Sequence, residues 1–464
     1  MNSLEPQPSG WRRRAWHFAA LGLLVAAVSV RAATLETLLT NGPTANRVNL
    51  VFLSEGYRTN ELPQFLADAA SALNNFLSAD PYAEYASYFN AFAIAVASAQ
   101  SGSDRPSIGK NVDTYFSSAH DAVMEYLITI PAGSTGQGRV TNLLQTFMPH
   151  SDLAVVLVND PMIPGGSGGQ TVVTTPVDFN PYILVHESAH TLAGLGDEYT
   201  NAFTYPDLEE PNTTRQTNRN LIKWRAWIDT NTPLPTPPLP ENYDTVGLFE
   251  GAHYHPKGWY RPQMDCTMNS YAAPFCRVCR EALTLSIYQR IRPVESFLPT
   301  NTALTLTTTQ AQTYSLTLLQ PVNHSLSVQW LTNGVAVPGA TETSFTLSPA
   351  TLPNGTNLVQ ARVTDDTDFV RTDPTNLLRQ TLTWTTKVEL PEVRLSSPVW
   401  LGNDRFTFRV TGSAPQGFSI LASTNLTGGP WLALTTNFLA NGQANYTNTT
   451  ATNRWRFFRA RTLP

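Results

Sequence analysis

Two histidines and a glutamate form the most informative group of residues in the chain: His186, Glu187 and His190, in the sequence HESAH. On a helix, a spacing of four residues places both imidazoles on one face, one turn apart. Two imidazoles on one face can bind one side of a tetrahedral zinc ion. Glu187 adjoins the first histidine and can take a proton from a water on that zinc, so we expect it to be the catalytic general base.

The residues after the second histidine predict the end of the helix and a third ligand. Gly194 can end the helix in a left-handed turn, and Asp197 and Glu198 follow it. Either carboxylate could reach the metal. We expect Asp197 to be the third ligand, because a short side chain on a short return loop has little entropy to lose. Glu198 is then expected to orient a ligand histidine.

This ligand set indicates the kind of zinc site. Two imidazoles and one carboxylate leave a fourth position open, as in catalytic rather than structural zinc sites. The motif H-E-x-x-H is short and also occurs by chance on helix surfaces. Here an apolar stretch, Pro181–Val185, precedes the motif and predicts a buried helix. That context, with the glycine and the acidic pair, favours zinc over a chance match.

A known family has similar sequence blocks. The active-site signature of the M64, or IgA-peptidase-like, metallopeptidases resembles the stretch from His186 to Tyr199, HESAHTLAGLGDEY. Three further stretches resemble blocks of that family in the same order: NRVNLVFLSEGY, EGAHYHPKGWYRPQMDCTM and PFCRVC. The resemblance spans about Asn46 to Arg290. One departure is Ala189, where the family usually has glycine, but alanine suits a helix.

The resemblance implies a fold, a cofactor and a substrate class. It implies an α/β zincin-like (metzincin-like) catalytic domain over residues 33–297, with one catalytic Zn²⁺ ion and a protein or peptide substrate. It also implies that Met268 lies in a methionine turn beneath the zinc and packs there without being a ligand. Tyr254, Tyr260 and Tyr271 could each supply a phenol to the oxyanion, and a position in the core or at the rim is the equal alternative for any one of them.

The N-terminus has the pattern of a secretory signal. Arg12–Arg14 form a positive region, Ala15–Val30 form an apolar region, and cleavage is expected after Ala32. The apolar run is shorter than the roughly 20 residues that span a bilayer, and a retained N-terminal anchor is the alternative. We therefore expect a secreted, periplasmic or cell-surface protein that is free of the membrane after cleavage. The formal net charge of -5 gives no indication of nucleic-acid binding.

Hydrophobic patterns predict the elements around the motif. The expected elements are a strand at Val48–Leu53, a helix at Asn60–Tyr82, a strand at Phe92–Ala97, a helix at His120–Ile130, a strand at Leu153–Val158, an edge strand at Gln170–Thr175 and a closing helix at Glu281–Ile291. The glycine-rich loop Pro164–Gln170 lacks the end of a phosphate-binding loop and is expected to be a flexible turn. The edge strand after it could pair with an extended substrate.

The three cysteines are Cys266, Cys276 and Cys279. In an exported protein they favour one disulfide and one leftover thiol. The Cys-x-x-Cys pair could bind zinc, but a structural zinc needs four ligands and a second pair is missing. A redox motif is a further alternative.

The composition changes after Pro293, where alternating strands and Asn-Gly turns replace helical patterns. The strand pattern predicts an immunoglobulin-like or PKD-like β-sandwich over residues 298–390 and a small β domain over residues 391–464. We expect these all-β domains to bind a protein or glycan rather than to catalyse. The sequence as a whole favours a secreted zinc endopeptidase. The alternative is an exported binding or adhesion protein with an inactive or structural metal site.

Overall fold

The computed structural model describes residues 33–162, 166–177, 181–201, 203–270, 273–449 and 456–463. The expected signal peptide, residues 1–32, and Tyr271 lie outside the described residues. Within the described ranges, no helix is both long enough and apolar enough to cross a bilayer.

The N-terminal part of the chain is a mixed α/β unit, residues 33–290. Its elements in chain order are β1 (Thr34–Leu39), β2 (Val48–Glu55), α1 (Leu62–Phe76), β3 (Phe89–Ala95), β4 (Ala119–His120), β5 (Ile128–Thr129), α2 (Gln137–Phe147), β6 (Leu153–Val158), β7 (Val172–Thr174), α3 (Pro181–Ala193), β8 (Phe249–Ala252), β9 (His255–Arg261) and α4 (Arg277–Arg290).

A five-stranded sheet with the order β1-β3-β2-β6-β7 forms the centre of this unit. Its strands are parallel except β1, which runs antiparallel to β3. The strands β2 and β6 are buried along their whole length, as expected for parallel strands covered on both faces. Leu50 and Phe52 pack with residues of α1, α3 and α4, whereas Val51 and Leu53 pack with residues of α2.

The helix expected at His120–Ile130 is wrong. Two short antiparallel strands, β4 and β5, occupy this region. Asp121 and Tyr126 have left-handed backbone conformations, with φ of 57° and 66°, and the Asp121 carboxylate accepts a hydrogen bond from the Tyr126 N–H at 2.7 Å. The apolar residues that indicated a helix include Val123 and Met124, which are exposed. This hairpin is therefore organised by turn contacts rather than by an apolar helix face.

The helix α3 carries the H-E-x-x-H motif. Its apolar residues Ile183, Leu184 and Val185 are buried, so the first two turns anchor the helix in the core. It ends at Gly194, whose φ is +62° and whose N–H donates to the carbonyl of His190 at 3.0 Å. This left-handed cap ends the helix where the sequence predicts and turns the chain back.

The chain continues as many β-strands. A first β unit, residues 291–389, contains β10 (Val294–Leu298), β11 (Ala303–Thr307), β12 (Gln312–Leu318), β13 (Ser327–Thr332), β14 (Val335–Ala336), β15 (Ser344–Leu347), β16 (Gly355–Thr364) and β17 (Arg379–Glu389). These strands form two sheets, β10-β12-β15 and β11-β17-β16-β13-β14. Between them lie the buried rings of Tyr314, Trp330 and Trp384. The first strand, β10, already begins at Val294, before residue 298.

A second β unit, residues 390–463, follows. Its strands are β18 (Arg394–Gly402), β19 (Arg405–Thr411), β20 (Gln416–Ser423), β21 (Leu432–Leu439), β22 (Gln443–Asn448) and β23 (Phe457–Thr462). They form two three-stranded sheets, β18-β19-β22 and β21-β20-β23. A small core that includes Phe408, Phe418 and Ile420 joins them.

The α/β unit and the first β unit share a buried polar interface. The Asp365 carboxylate, in the first β unit, accepts hydrogen bonds from Tyr85 at 2.9 Å and from Tyr288 at 2.6 Å. His324 lies between Glu84 and Asp365, at 2.6 Å and 2.7 Å. The first β unit is therefore joined to α4 and to the turn before β3, rather than tethered by a linker alone.

Candidate metal centre

The helix α3 brings the two motif histidines together. The Nε2 atoms of His186 and His190 lie 3.2 Å apart. The Nδ1 of His186 lies 2.9 Å from the carbonyl oxygen of Thr267, and the Nδ1 of His190 lies 2.6 Å from that of Leu195. A carbonyl only accepts, so each Nδ1 carries a hydrogen, and in the neutral form of each ring the Nε2 presents a lone pair. Both lone pairs face the same point.

Asp197 completes a triangle of acceptor atoms. Its Oδ1 lies 3.0 Å from the Nε2 of His186 and 3.4 Å from the Nε2 of His190. This oxygen is buried and has no hydrogen-bond donor among the described residues. Ligand atoms bound at about 2.0–2.1 Å to a tetrahedral ion lie about 3.3 Å apart, which matches this triangle. The three residues therefore fit zinc.

Asp197 and His190 shift each other's pKa values. Burial raises the pKa of Asp197, but the two imidazoles outweigh burial and hold its pKa far below the usual range. Burial lowers the pKa of His190, but the Asp197 carboxylate overrides this effect and raises it to about 9. Asp197 thus keeps its negative charge in the interior and favours a proton on His190, which a zinc ion would displace on binding.

Backbone contacts from two distant segments hold Asp197 in place. The N–H of His253 donates to the carbonyl of Asp197 at 2.8 Å, and the N–H of Glu198 donates to the carbonyl of Met268 at 2.8 Å. The Asn212 side chain pairs with both backbone groups of Gly196, each at 2.8 Å. The return loop after α3 is therefore fixed on both sides of Asp197.

The expectation that Glu198 orients a ligand histidine needs correction. The acceptors that orient the two imidazoles are the carbonyl oxygens of Thr267 and Leu195. Glu198 lies with three cysteines and accepts a hydrogen bond from the Asn212 amide at 2.9 Å. Met268 is fully buried in the core cluster that also contains Ala189 of α3.

The disulfide expected among Cys266, Cys276 and Cys279 is not formed. All three cysteines of the chain are described and unbridged. The Sγ atoms of Cys266 and Cys279 lie 3.7 Å apart, whereas a disulfide needs about 2.05 Å. The three thiols converge with Glu198 instead of pairing.

Glu187 lies under the glycine-rich loop. It is 5% exposed, and burial raises the pKa of its carboxyl group, opposed by the two neighbouring histidines. A Cβ on Gly168 would lie 2.9 Å from Glu187 Oε2, and one on Gly166 would lie 2.7 Å from Glu187 Cγ. Sequence reasoning treated this loop as a flexible turn and missed its contact with the glutamate. The run of glycines after a buried strand was the available signal.

The glycine-rich loop also occupies part of the β7 edge, at which the sequence predicts pairing with a substrate. Ser167 pairs with Val173 of β7 through two backbone hydrogen bonds, at 3.2 Å and 2.9 Å. The outer edge of β7 is therefore occupied at Val173. The segment around Ser167 and Gly168, antiparallel to β7, now borders Glu187.

Comparison with known proteins identifies the family. A family model described as IgA Peptidase M64 matches residues 37–245 and 239–287, more than half of the 464 residues. The chain belongs to the M64 peptidase family. Membership of this family supports a peptidase that acts on proteins or peptides. No curated protein matches the chain.

Two solved structures are similar to parts of this M64 family chain. The first is described as a chaperone-tip adhesin complex of CFA/I fimbriae biogenesis, with 9% identity, coverage of 36% of this chain and 92% of that chain, and a TM-score of 0.15. The second contains domains of titin, with 14% identity, coverage of 34% of this chain and 55% of that chain, and a TM-score of 0.13.

A cleft of about 820 Å³ opens onto the motif of this M64 chain. Its lining includes His186, Glu187, His190 and Asp197, together with the aromatic residues Tyr199, Phe203, Tyr205 and Tyr254. Phe203 and Tyr205 are partly exposed and come from the irregular stretch after α3. The cleft is therefore lined both by the polar residues of the motif and by aromatic side chains.

Tyr254, one of the tyrosines suggested by the sequence, contacts Asp197 directly. Its hydroxyl donates to Oδ2 of Asp197. Burial and the Asp197 charge raise the pKa of Tyr254, so its phenol stays protonated and remains a donor. Tyr260 lies in β9, where its backbone pairs with Thr214.

Proposed function

We propose that this chain is a secreted zinc-dependent endopeptidase in which His186, His190 and Asp197 hold one zinc ion and Glu187 is the general base. The observation that carries the proposal is the triangle of three acceptor atoms, with edges of 3.0, 3.2 and 3.4 Å. Membership of the M64 family supplies the reaction class. Zinc bound there would supply a Lewis acid that polarises a peptide carbonyl and acidifies water.

The residues of the chain have separate tasks in this proposal. Glu187, as the carboxylate, accepts a proton from the attacking water and then passes it to the leaving amine; burial raises the pKa of its carboxyl group and so makes the carboxylate a stronger base. Tyr254 donates to Asp197 and so fixes the carboxylate that faces the histidines. Gly166 and Gly168 cover the glutamate and limit the access of bulk water to it.

The cleft supports hydrolysis over a purely structural role of the metal. A structural zinc is closed by four protein ligands, whereas three ligands beside an open cleft leave a position for substrate. A buried glutamate next to that position has no role in metal ligation itself. In this proposal the two β units bind a protein or a glycan, and residues 1–32 direct export.

Identification of cleavage products tests the function. The purified chain is incubated with a protein mixture and a peptide library, and new N-termini are determined by mass spectrometry. We expect internal cleavage that stops after treatment with a chelator and returns with zinc. If the zinc-loaded chain produces no new N-termini from any substrate, the chain is not a peptidase under this account.

A further inference from the structure

A second group of metal-ligating side chains lies outside the histidine site. Glu198, Cys266, Cys276 and Cys279 place one ligand atom each within 4.8 Å of one another. All four residues are buried; Glu198, Cys266 and Cys279 are 0% exposed. We propose that these four residues bind a second zinc ion, which is structural. This site stands apart from the catalytic assignment, since its ligands and its measurements do not depend on hydrolysis.

An unpartnered carboxylate oxygen points to a cation in this cluster. Glu198 Oε1 accepts from the Asn212 amide at 2.9 Å and contacts Cys279 Sγ at 3.4 Å. Glu198 Oε2 is buried and has no hydrogen-bond partner among the described residues. A buried polar atom without a partner is costly, and a metal ion would compensate for it.

The sulfur geometry fits zinc better than it fits a disulfide. Thiolates bound at about 2.3 Å to a tetrahedral zinc ion lie about 3.8 Å apart. The observed separation of the Cys266 and Cys279 Sγ atoms is 3.7 Å. Three thiolates and one carboxylate supply four ligands, so this set closes the tetrahedron, as structural zinc sites do.

The local backbone favours thiolates. The N–H of Cys276 points to Cys266 Sγ at 3.2 Å, and the N–H of Cys279 points to Cys276 Sγ at 3.4 Å. Cys276 is also the N-cap of α4, where the helix dipole favours negative charge. These features stabilise the thiolate form of Cys266 and Cys276, which is the form that binds metal.

The position of this cluster explains what a second ion would do. Asp197 and Glu198 are adjacent in the chain, and each faces a different cluster. Cys266 precedes Thr267, whose carbonyl orients His186, and Met268, whose carbonyl binds the N–H of Glu198. An ion held by Glu198 and Cys266 therefore fixes both segments that shape the first site.

The double variant His186→Ala/His190→Ala isolates the second site, because it removes two ligands of the first and leaves the cluster intact. We expect two zinc ions in the wild type and one in the double variant, measured by elemental analysis. Cobalt(II) in place of zinc should give thiolate charge-transfer absorption in the double variant. A mercurial reagent should release the remaining zinc as the three thiols react.

Two substitutions test the ligands themselves. Glu198→Gln should weaken zinc binding at this site by at least about tenfold, since even the loss of an outer-shell partner costs that much. Glu210→Gln is the matched control, because Glu210 binds His253 and lies outside the cluster. Cys276→Ser should weaken the cobalt band, because one of the three thiolates is lost.

Other results would overturn the proposal. A double variant with no zinc and no thiolate band would do so, as would a disulfide shown by the mass of the unreduced chain. If the double variant does not fold, the cobalt spectrum of the wild type decides, because the first site contains no sulfur. A chain that shows the thiolate band but cleaves no peptide would refute the peptidase and leave this inference intact.

Discussion

The substitution Asp365→Ala tests whether the first β unit stabilises the α/β unit. Asp365 is 3% exposed, and its carboxylate accepts from the hydroxyls of Tyr85 and Tyr288, which come from the other unit. Alanine removes the acceptor of these two hydroxyls and also that of His324 and of the Thr367 N–H. The free energy of unfolding should therefore fall.

The expected loss in the free energy of unfolding depends on whether each tyrosine hydroxyl can find another hydrogen-bond acceptor. Tyr88 already donates to the carbonyl of Leu319, so its oxygen can accept from Tyr288, which lies 3.0 Å away. Tyr85, whose hydroxyl oxygen also has the Thr367 side chain as a partner, bears most of the cost because its hydrogen loses its acceptor. An unsatisfied buried hydroxyl costs about 1–3 kcal/mol, and His324 and the Thr367 N–H lose the same acceptor, so we expect a total loss of about 2–4 kcal/mol.

Urea unfolding followed by tryptophan fluorescence measures this loss. Asp366→Ala is the control, because Asp366 is the exposed neighbour and a surface change of this kind stays within about 0.5 kcal/mol. A midpoint for Asp365→Ala equal to that of the control would refute the view that this carboxylate joins the two units.

Three further predictions concern the glycine-rich loop, the contact of Tyr254 with Asp197, and His324 at the interface. Gly168→Ala should lower kcat/KM by at least about tenfold without loss of zinc, because the added Cβ would displace Glu187. The control is Gly133→Ala, which should have no effect because no atom lies within 4 Å of the added Cβ. Tyr254→Phe should weaken zinc binding about 10–100-fold in a titration against a chelator, because Asp197 loses its donor; unchanged affinity would argue against this contact. Burial lowers the pKa of His324, but Asp365 and Glu84 outweigh burial and raise it. The charge of His324 therefore stabilises the folded state fully below about pH 6.5, and this stabilisation is lost as the pH rises through the raised pKa. The difference in Tm between wild type and His324→Gln should therefore shrink with rising pH, and a difference that grows would contradict this sign.

The sequence predicted the parts of the site that depend on local spacing. The two histidines face one point because they are four residues apart on one helix, and Asp197 returns because Gly194 ends that helix. These relationships lie within about one short segment, so helix geometry and turn chemistry are enough to predict them.

The contacts between distant segments were not predictable in this way. Cys279 meets Glu198 across 81 residues, and Tyr85 meets Asp365 across 280 residues. The expected export of the protein predicts a disulfide among the cysteines, and nothing in their spacing indicates that Glu198 lies beside them. The glycines over Glu187 were likewise read as a turn, since only the fold brings the loop across the helix.

The most direct test of the central claim is the hydrolysis rate of Glu187→Gln at matched zinc content. Glutamine keeps the shape of the side chain and cannot accept the proton. We expect the variant to hold as much zinc as the wild type and to lose at least about 100-fold in kcat/KM on a peptide that the wild type cleaves. A zinc-loaded variant with nearly the wild-type rate would contradict that claim.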